Sequence, residues 1–347
     1  MVMESNETPS ATPLPRVLKV LGEGCSTAAN NVTLMALPMA LDLFLLFGPR
    51  LRVSRVLQPV FDTAYGQMLQ TVPAGTAAQL EPALEAVRSM LRSVNLFASV
   101  QTFPIGVSAI NAFGGDSTPL GSAVSVEMTS ILQIIPILAA LLLLGVFLGT
   151  AFFSLTARAS VRTGKKFTVQ DFGKQFLNTV LFYLALIVVL FILSVPVSCI
   201  MTFSFMISPI IYQLLTIVLI AAGCWLVIPL FYIPHSIFVN NYDLPQSIRE
   251  SIQLGSWSGP VTVRFILFSI VITMGLDMIW AIPEQSSWLV LISIFGHAYV
   301  SAAMLSGSFI LFKELEQWQQ ENQAFLTWRK AFLRLPKLFK KEPEQHD

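Results

Sequence analysis

The chain has 347 residues, of which 54% are hydrophobic and only 12% charged, with a formal net charge of +1 and a mean hydropathy of +0.69. Soluble domains carry about 25% charged residues, so this composition excludes a water-soluble chain, and the near-neutral balance supplies no basic field for nucleic acid. Several apolar runs reach the roughly 20 residues that cross about 30 Å of hydrocarbon. They are continuous rather than alternating, which excludes a transmembrane barrel and predicts an all-α, polytopic integral membrane protein with six spans.

In chain order, residues 1–14 read as a polar tail, without the basic n-region and short apolar core of a cleaved signal. Over 15–29, Val17, Leu18, Leu21 and Cys25 share one helical face behind Pro15. That pattern predicts a short helix lying in the membrane interface. The first span is expected over 30–48, kinked at Pro38 and interrupted by Asp42. It stops at GPRLR, where the arginines return to water.

Residues 49–128 form the one sizeable region between spans. Leu57, Val60, Phe61, Ala64, Tyr65 and Met68 recur at helical spacing, as do Leu80, Leu84, Val87, Leu91 and Val94 after a Pro73–Gly75 turn. Thr76 and Gln79 make a capping-box pattern. The region reads as an αα-hairpin cap followed by a turn-rich loop, which packs on the hairpin or dips into the interface.

The second span is expected over 129–155. Its Gly145 and Gly149 form GxxxG, a weakly specific pattern that lets another helix approach. A basic amphipathic segment occupies 156–176. The long apolar stretch beyond it divides into spans at 177–200 and 207–238, with the turn between Pro196 and Pro209. An interface helix then covers 239–260. The last spans are 261–280 and 287–312, and a basic amphipathic tail runs over 313–347.

Six spans put both termini on one side. Every Lys and Arg outside 49–128 then falls on that side, which the positive-inside rule makes cytoplasmic. The cap is expected to be extracytoplasmic. LPRVLKVLGEG, FTVQDFGKQF and LPQSIRESIQLG each introduce a pair of spans, an arrangement expected of a threefold internal repeat but also of any six-span protein with interface helices.

The stretch from Phe231-Tyr-Ile-Pro-His through NNYDLPQSIRESIQLG, with Ser247, Ser251 and Leu254, leads to an apolar pair ending in SAAMLSGSFILFKEL. Over 167–315 this resembles the membrane domain attached to some bacterial glycerophosphodiester phosphodiesterases, and its stand-alone YciC-like relatives. The resemblance implies a multi-pass protein of a bacterial plasma membrane, of unassigned role. The hairpin cap departs from the family's compact form, and no phosphodiesterase domain follows, so no activity carries over.

GxSxG, HExxH and GxxxxGK[ST] are all missing. The three histidines and the unpaired Cys25, Cys199 and Cys224 indicate no metal, cofactor or disulfide framework. No catalytic residue is expected. Ionisable or polar residues within spans are costly, and four of them, Asp42, Gln133, Asp277 and His297, are expected in the cap-side half of the bilayer. They read either as a structural network or as an outward-opening polar pocket with the arginines after span one as counter-ions. His235, near the tail-side end of span four, reads as a headgroup anchor.

In the tail, Arg329, Lys330, Arg334, Lys337, Lys340 and Lys341 alternate with aromatic and aliphatic residues. This is a lipid-facing segment for anionic inner-leaflet lipid, with a soluble protein partner as the alternative. Two function classes therefore stand: a non-catalytic component organising lipid or a partner complex, and a transporter or permease subunit.

Overall fold

A computed structural model describes residues 12–71, 74–109, 117–161, 168–323 and 325–327. The chain is all-α. Among the described residues five helices are long and apolar enough to cross a membrane: α5 (Ile131–Ser160), α6 (Val169–Ile207), α7 with α8 (Pro209–Leu230 and Ile233–Asn240), α9 (Leu244–Trp280) and α10 (Val290–Glu321). A sixth crossing is made by α1 (Val17–Asn30), a 3-10 turn (Val32–Met35) and α2 (Ala36–Phe47), if that pair, bent by 92°, counts as one span. The end of the bundle that holds Gly48 and Ser130 is termed the cap side, and the end that holds Thr12 and Asn322 the tail side.

α10 is the axis of the molecule. Its small residues Ala298, Ala302 and Ser306 are fully buried; α1 lies along it, and α2 meets its cap-side start through Leu46, Val290 and Ile294. Thr12 N–H donates to Asn322 Oδ1 at 2.9 Å, Lys19 pairs with Glu314 at 3.3 Å, and the Tyr299 hydroxyl donates to Cys25 O at 3.2 Å. The close approach is possible because Gly24 has no side chain: a Cβ there would lie 2.5 Å from Ala303 O. The 15–29 segment is therefore packed along α10. The chain bends at Asn31. Pro38 falls in the first turn of α2, where a missing N–H costs nothing.

Other boundaries also move. α6 runs unbroken through Pro196 to Ile207, so the reversal occurs at Ser208, whose hydroxyl accepts from Ile210 N–H. α9 is one helix of 37 residues, so the sequence expected as an interface helix over 239–260 is the tail-side half of that rod. Its inward stripe of Ser247, Ser251, Leu254, Ser258 and Thr262 is buried. Ser251 Oγ accepts from Tyr232 N–H and donates to Pro229 O, which ties α9 to the α7–α8 break. α8 begins just before Pro234, and Asn241, in the left-handed region at φ +55°, turns the chain into α9.

The tail-side core gathers Tyr232, His235, Phe309, Phe312 and Phe153. His235 is a core residue, not a headgroup anchor. Its Nδ1 lies 3.0 Å from Phe231 O and its Nε2 lies 2.9 Å from Ser308 Oγ. Of the three segments compared as a repeat, the second and third begin long unbroken helices, whereas the first is followed by the sharp bend.

On the cap side, α3 (Ser54–Thr71) and α4 (Ala74–Ser93) form the hairpin, tied by Arg88 Nε to Asp62 Oδ1 at 3.0 Å. α4 already begins at Ala74, so Thr76 lies inside its first turn rather than at a cap, and its side chain is outside the described residues. Strand β1 (Arg50–Arg52) pairs in parallel with a later strand at Ser125–Glu127, joining the two ends of the cap. That pairing buries Arg50 and Arg52, so these arginines do not return to water.

Candidate functional site

The cap-side half of the bundle is organised by a non-helical segment, residues 96–109, that enters between the helices. After a 3-10 turn at Leu96–Gln101, Val100, Ile105 and Val107 are buried against α2 and α5. The surface that receives them is the glycine pair of α5. A Cβ at Gly145 would sit 2.4 Å from Val100 O, and one at Gly149 would sit 2.5 Å from Ile105 O. The GxxxG pattern thus admits a short 3-10 turn and the loop that follows it, not another spanning helix. Gly149 lies 18 residues, about 27 Å of helix, from the cap-side start of α5, so the segment is deeply re-entrant.

Backbone at that depth needs protein partners because no water replaces them. Tyr183 of α6 supplies two: its hydroxyl accepts from Ile105 N–H at 2.8 Å and donates to Ile105 O at 2.7 Å. The Thr102 hydroxyl adds a 3.0 Å donation to the same carbonyl, and the Gln101 amide donates to Ala109 O at 3.0 Å.

The far end of this segment meets two of the four polar residues singled out by sequence. His297 Nδ1 lies 3.2 Å from Asp277 Oδ1, joining α10 to α9, and His297 Nε2 lies 3.0 Å from Ser108 Oγ. A carboxylate only accepts, so Nδ1 carries the proton toward Asp277, and Nε2 shares the second hydrogen bond with the Ser108 hydroxyl. Ser301, one turn along α10, shares Nε2 at 3.4 Å. The His297 side chain is 8% exposed and that of Asp277 43% exposed, so the pair has one buried and one open end.

The other two residues differ in their settings. Asp42 is fully buried on α2. It lies between a stripe facing the re-entrant segment (Leu41, Leu45) and one facing α10 (Leu46). Gln133 is exposed near the start of α5, where its Oε1 accepts from the Thr129 hydroxyl at 3.4 Å. It belongs to no cluster. The tail residues Arg329, Lys330, Arg334, Lys337, Lys340 and Lys341 lie outside the described residues.

Sequence reasoning missed Ser108 and Tyr183. A serine in a turn-rich loop carries no signal, whereas a tyrosine within an otherwise apolar span did offer one. Chemically, hydroxyl, imidazole and carboxylate stand in the order of an acyl-transfer relay. Acyl transfer also needs N–H donors converging on the oxyanion, and residues 110–116, which follow Ser108, lie outside the described residues. What the geometry does directly is tether the re-entrant segment to α9 and α10. Among the described residues no three His, Cys, Asp or Glu converge to hold a metal.

A second polar region lies on the tail side, a cavity of about 610 Å³ lined by Tyr242, Arg249, Glu250, Gln253, Glu316 and Gln319. Asn240 Nδ2 bridges the two carboxylates, at 3.3 Å to Glu250 and 3.1 Å to Glu316, while Lys313 pairs with Glu316 at 2.6 Å. These internal partners engage both carboxylates.

No family model, no curated protein and no solved structure matches this chain.

Proposed function

We propose that this chain is a non-catalytic membrane component that organises lipid, with both termini in the cytoplasm. One observation carries the reading: α7 and the cap-side half of α6 present an apolar wing that is exposed along most of its length. No residue of α7 is buried, and Phe191, Phe203, Met206, Ile207, Ile210 and Trp225 are all exposed. About 25 cal/mol per Å² is at stake for every apolar surface left to water, so a wing of this size requires acyl chains against it. Beside it the re-entrant segment occupies volume that a packed helix would otherwise fill.

The test uses exposed Cys224 of α7. A bimane label there, with the full chain in nanodiscs, is expected to be strongly quenched by brominated phospholipid. Absent quenching, together with cross-links from Cys224 to protein, would overturn the reading. The non-catalytic part has its own check: a fluorophosphonate probe is expected to leave Ser108 unmodified, and labelling there would sink it.

Solute movement is the second reading, favoured by the half-open Asp277–His297 pair, since paired ionisable groups within spans mark ion and proton paths. Proteoliposome flux that disappears in Asp277→Asn would establish it in place of the first.

A further inference from the structure

Between the start of α1 and the middle of α9 lies a cavity of about 830 Å³, lined by Leu14, Arg16, Leu18, Lys19, Arg264 and Phe268 among others. We propose that it holds the headgroup phosphate and first acyl carbons of one anionic phospholipid. This rests on the lipid-organising reading and deepens it by naming a class and a place.

Charge supports the headgroup half. Among the described residues no carboxylate lies within ion-pair distance of Arg16 or Arg264. Arg264 spends only Nε, on Pro260 O at 3.0 Å, which leaves its terminal nitrogens for a ligand. Lys19 is different, being held by Glu23 at 3.5 Å and Glu314 at 3.3 Å, so it adds little net charge. Two guanidinium groups at one cleft favour a phosphodiester, whose oxygens match their fork. A zwitterionic headgroup would bring its own cation into the same positive cleft, so the field selects lipids of net negative charge.

Apolar lining supports the acyl half and argues against a free anion. Leu18 is 69% and Phe268 42% exposed, and the exposed apolar surface continues along α9 through Leu267, Val271 and Met274. A soluble phosphate would gain nothing from that strip. Depth agrees as well. Arg264 stands 16 residues from Trp280 at the cap-side end of α9, about 24 Å of helix, which places its charge near the opposite edge of a hydrocarbon layer about 30 Å thick.

The experiment is native mass spectrometry of the full chain released from mixed phosphatidylglycerol–phosphatidylcholine nanodiscs. One phosphatidylglycerol is expected to be retained in preference to phosphatidylcholine. Each of Arg16→Gln and Arg264→Gln is expected to weaken retention about fivefold, and the double variant roughly 25-fold, at ~1 kcal/mol per cation. Arg16→Lys with Arg264→Lys is expected to restore most of the preference.

Equal retention of the two lipids by the unaltered chain overturns the proposal without recourse to any variant. So does displacement of the bound lipid by millimolar inorganic phosphate, or undiminished preference in a folded double Gln variant. Quenching at Cys224 reads the wing separately, so it persists if only the headgroup site is wrong.

Discussion

Tyr183 closes both backbone groups of Ile105 with a single hydroxyl, accepting from the N–H at 2.8 Å and donating to the C=O at 2.7 Å. This one side chain makes an irregular segment compatible with the apolar interior. Tyr183→Phe keeps the ring and removes the oxygen. Thr102 still serves the carbonyl, but the Ile105 N–H loses its partner. The cost of an unsatisfied buried group is about 1–3 kcal/mol. Hydrogen exchange of residues 96–109 is expected to accelerate selectively, with tail-side helices unchanged.

The glycine pair of α5 offers a steric counterpart. Gly149→Val places branched carbons where Ile105 O lies 2.5 Å from a would-be Cβ, so the segment has to leave its groove. Overpacking of this kind costs about 1–3 kcal/mol. A cysteine introduced at exposed Phe103 is expected to react faster with a soluble thiol reagent in that background. Gly173→Ala on α6, where the added methyl meets nothing within 4 Å, should leave the rate unaltered.

Two glycines of α1, less than a turn apart, make a matched pair. Gly24→Ala drives a Cβ into Ala303 O and the backbone of Gly307, whereas Gly22→Ala opens into free space. The first is expected to lower the melting temperature measured in detergent and the yield of folded protein. The second should match or slightly exceed the parent, because alanine is better than glycine inside a helix by about 1 kcal/mol.

At the start of α6 the Thr168 hydroxyl accepts from Asp171 N–H at 3.2 Å, while Asp171 Oδ2 accepts from Thr168 N–H at 3.0 Å. Thr168→Ala removes half of this capping box, for which about 1 kcal/mol is typical. Asp171 also accepts from the Asn241 side chain at 2.9 Å, so the loss reaches the turn between α8 and α9. Faster proteolysis at residues 241–243 than in the parent is the expected readout.

Hydropathy was sufficient to read the membrane class and five of the six expected spans as long helices, because each run had to bridge a fixed thickness. It was insufficient for the places where helices stop. Pro196 and Pro260 lie inside continuous helices. A span can tolerate a proline when packing satisfies the freed carbonyl, so the residue alone does not announce a break. Asn31, where the chain turns sharply, carries no such warning.

The site divides along the same line. Asp277 and His297 were visible because charge within an apolar run is rare, and they do meet. Gln133 carried a similar but weaker signal and faces outward. Ser108 could not be read at all, since it reaches His297 across 189 positions through a loop whose path only the fold determines. Gly145 and Gly149 announced a close approach, but spacing alone cannot say whether a helix or a bare backbone arrives.

α9 has a mechanical consequence of its own. A helical rod of 37 residues transmits displacement from Ser251, anchored to the α7–α8 break, to Asp277 beside the cap, unless some point along it yields. Pro260 lacks the N–H that would bond the carbonyl of Ser256, so bending stiffness is lowest there, and Arg264 grips the Pro260 carbonyl from the next turn. Whatever engages that arginine loads the rod at its weakest joint, and the angle between its two halves becomes a coordinate on which the two faces of the membrane can influence each other.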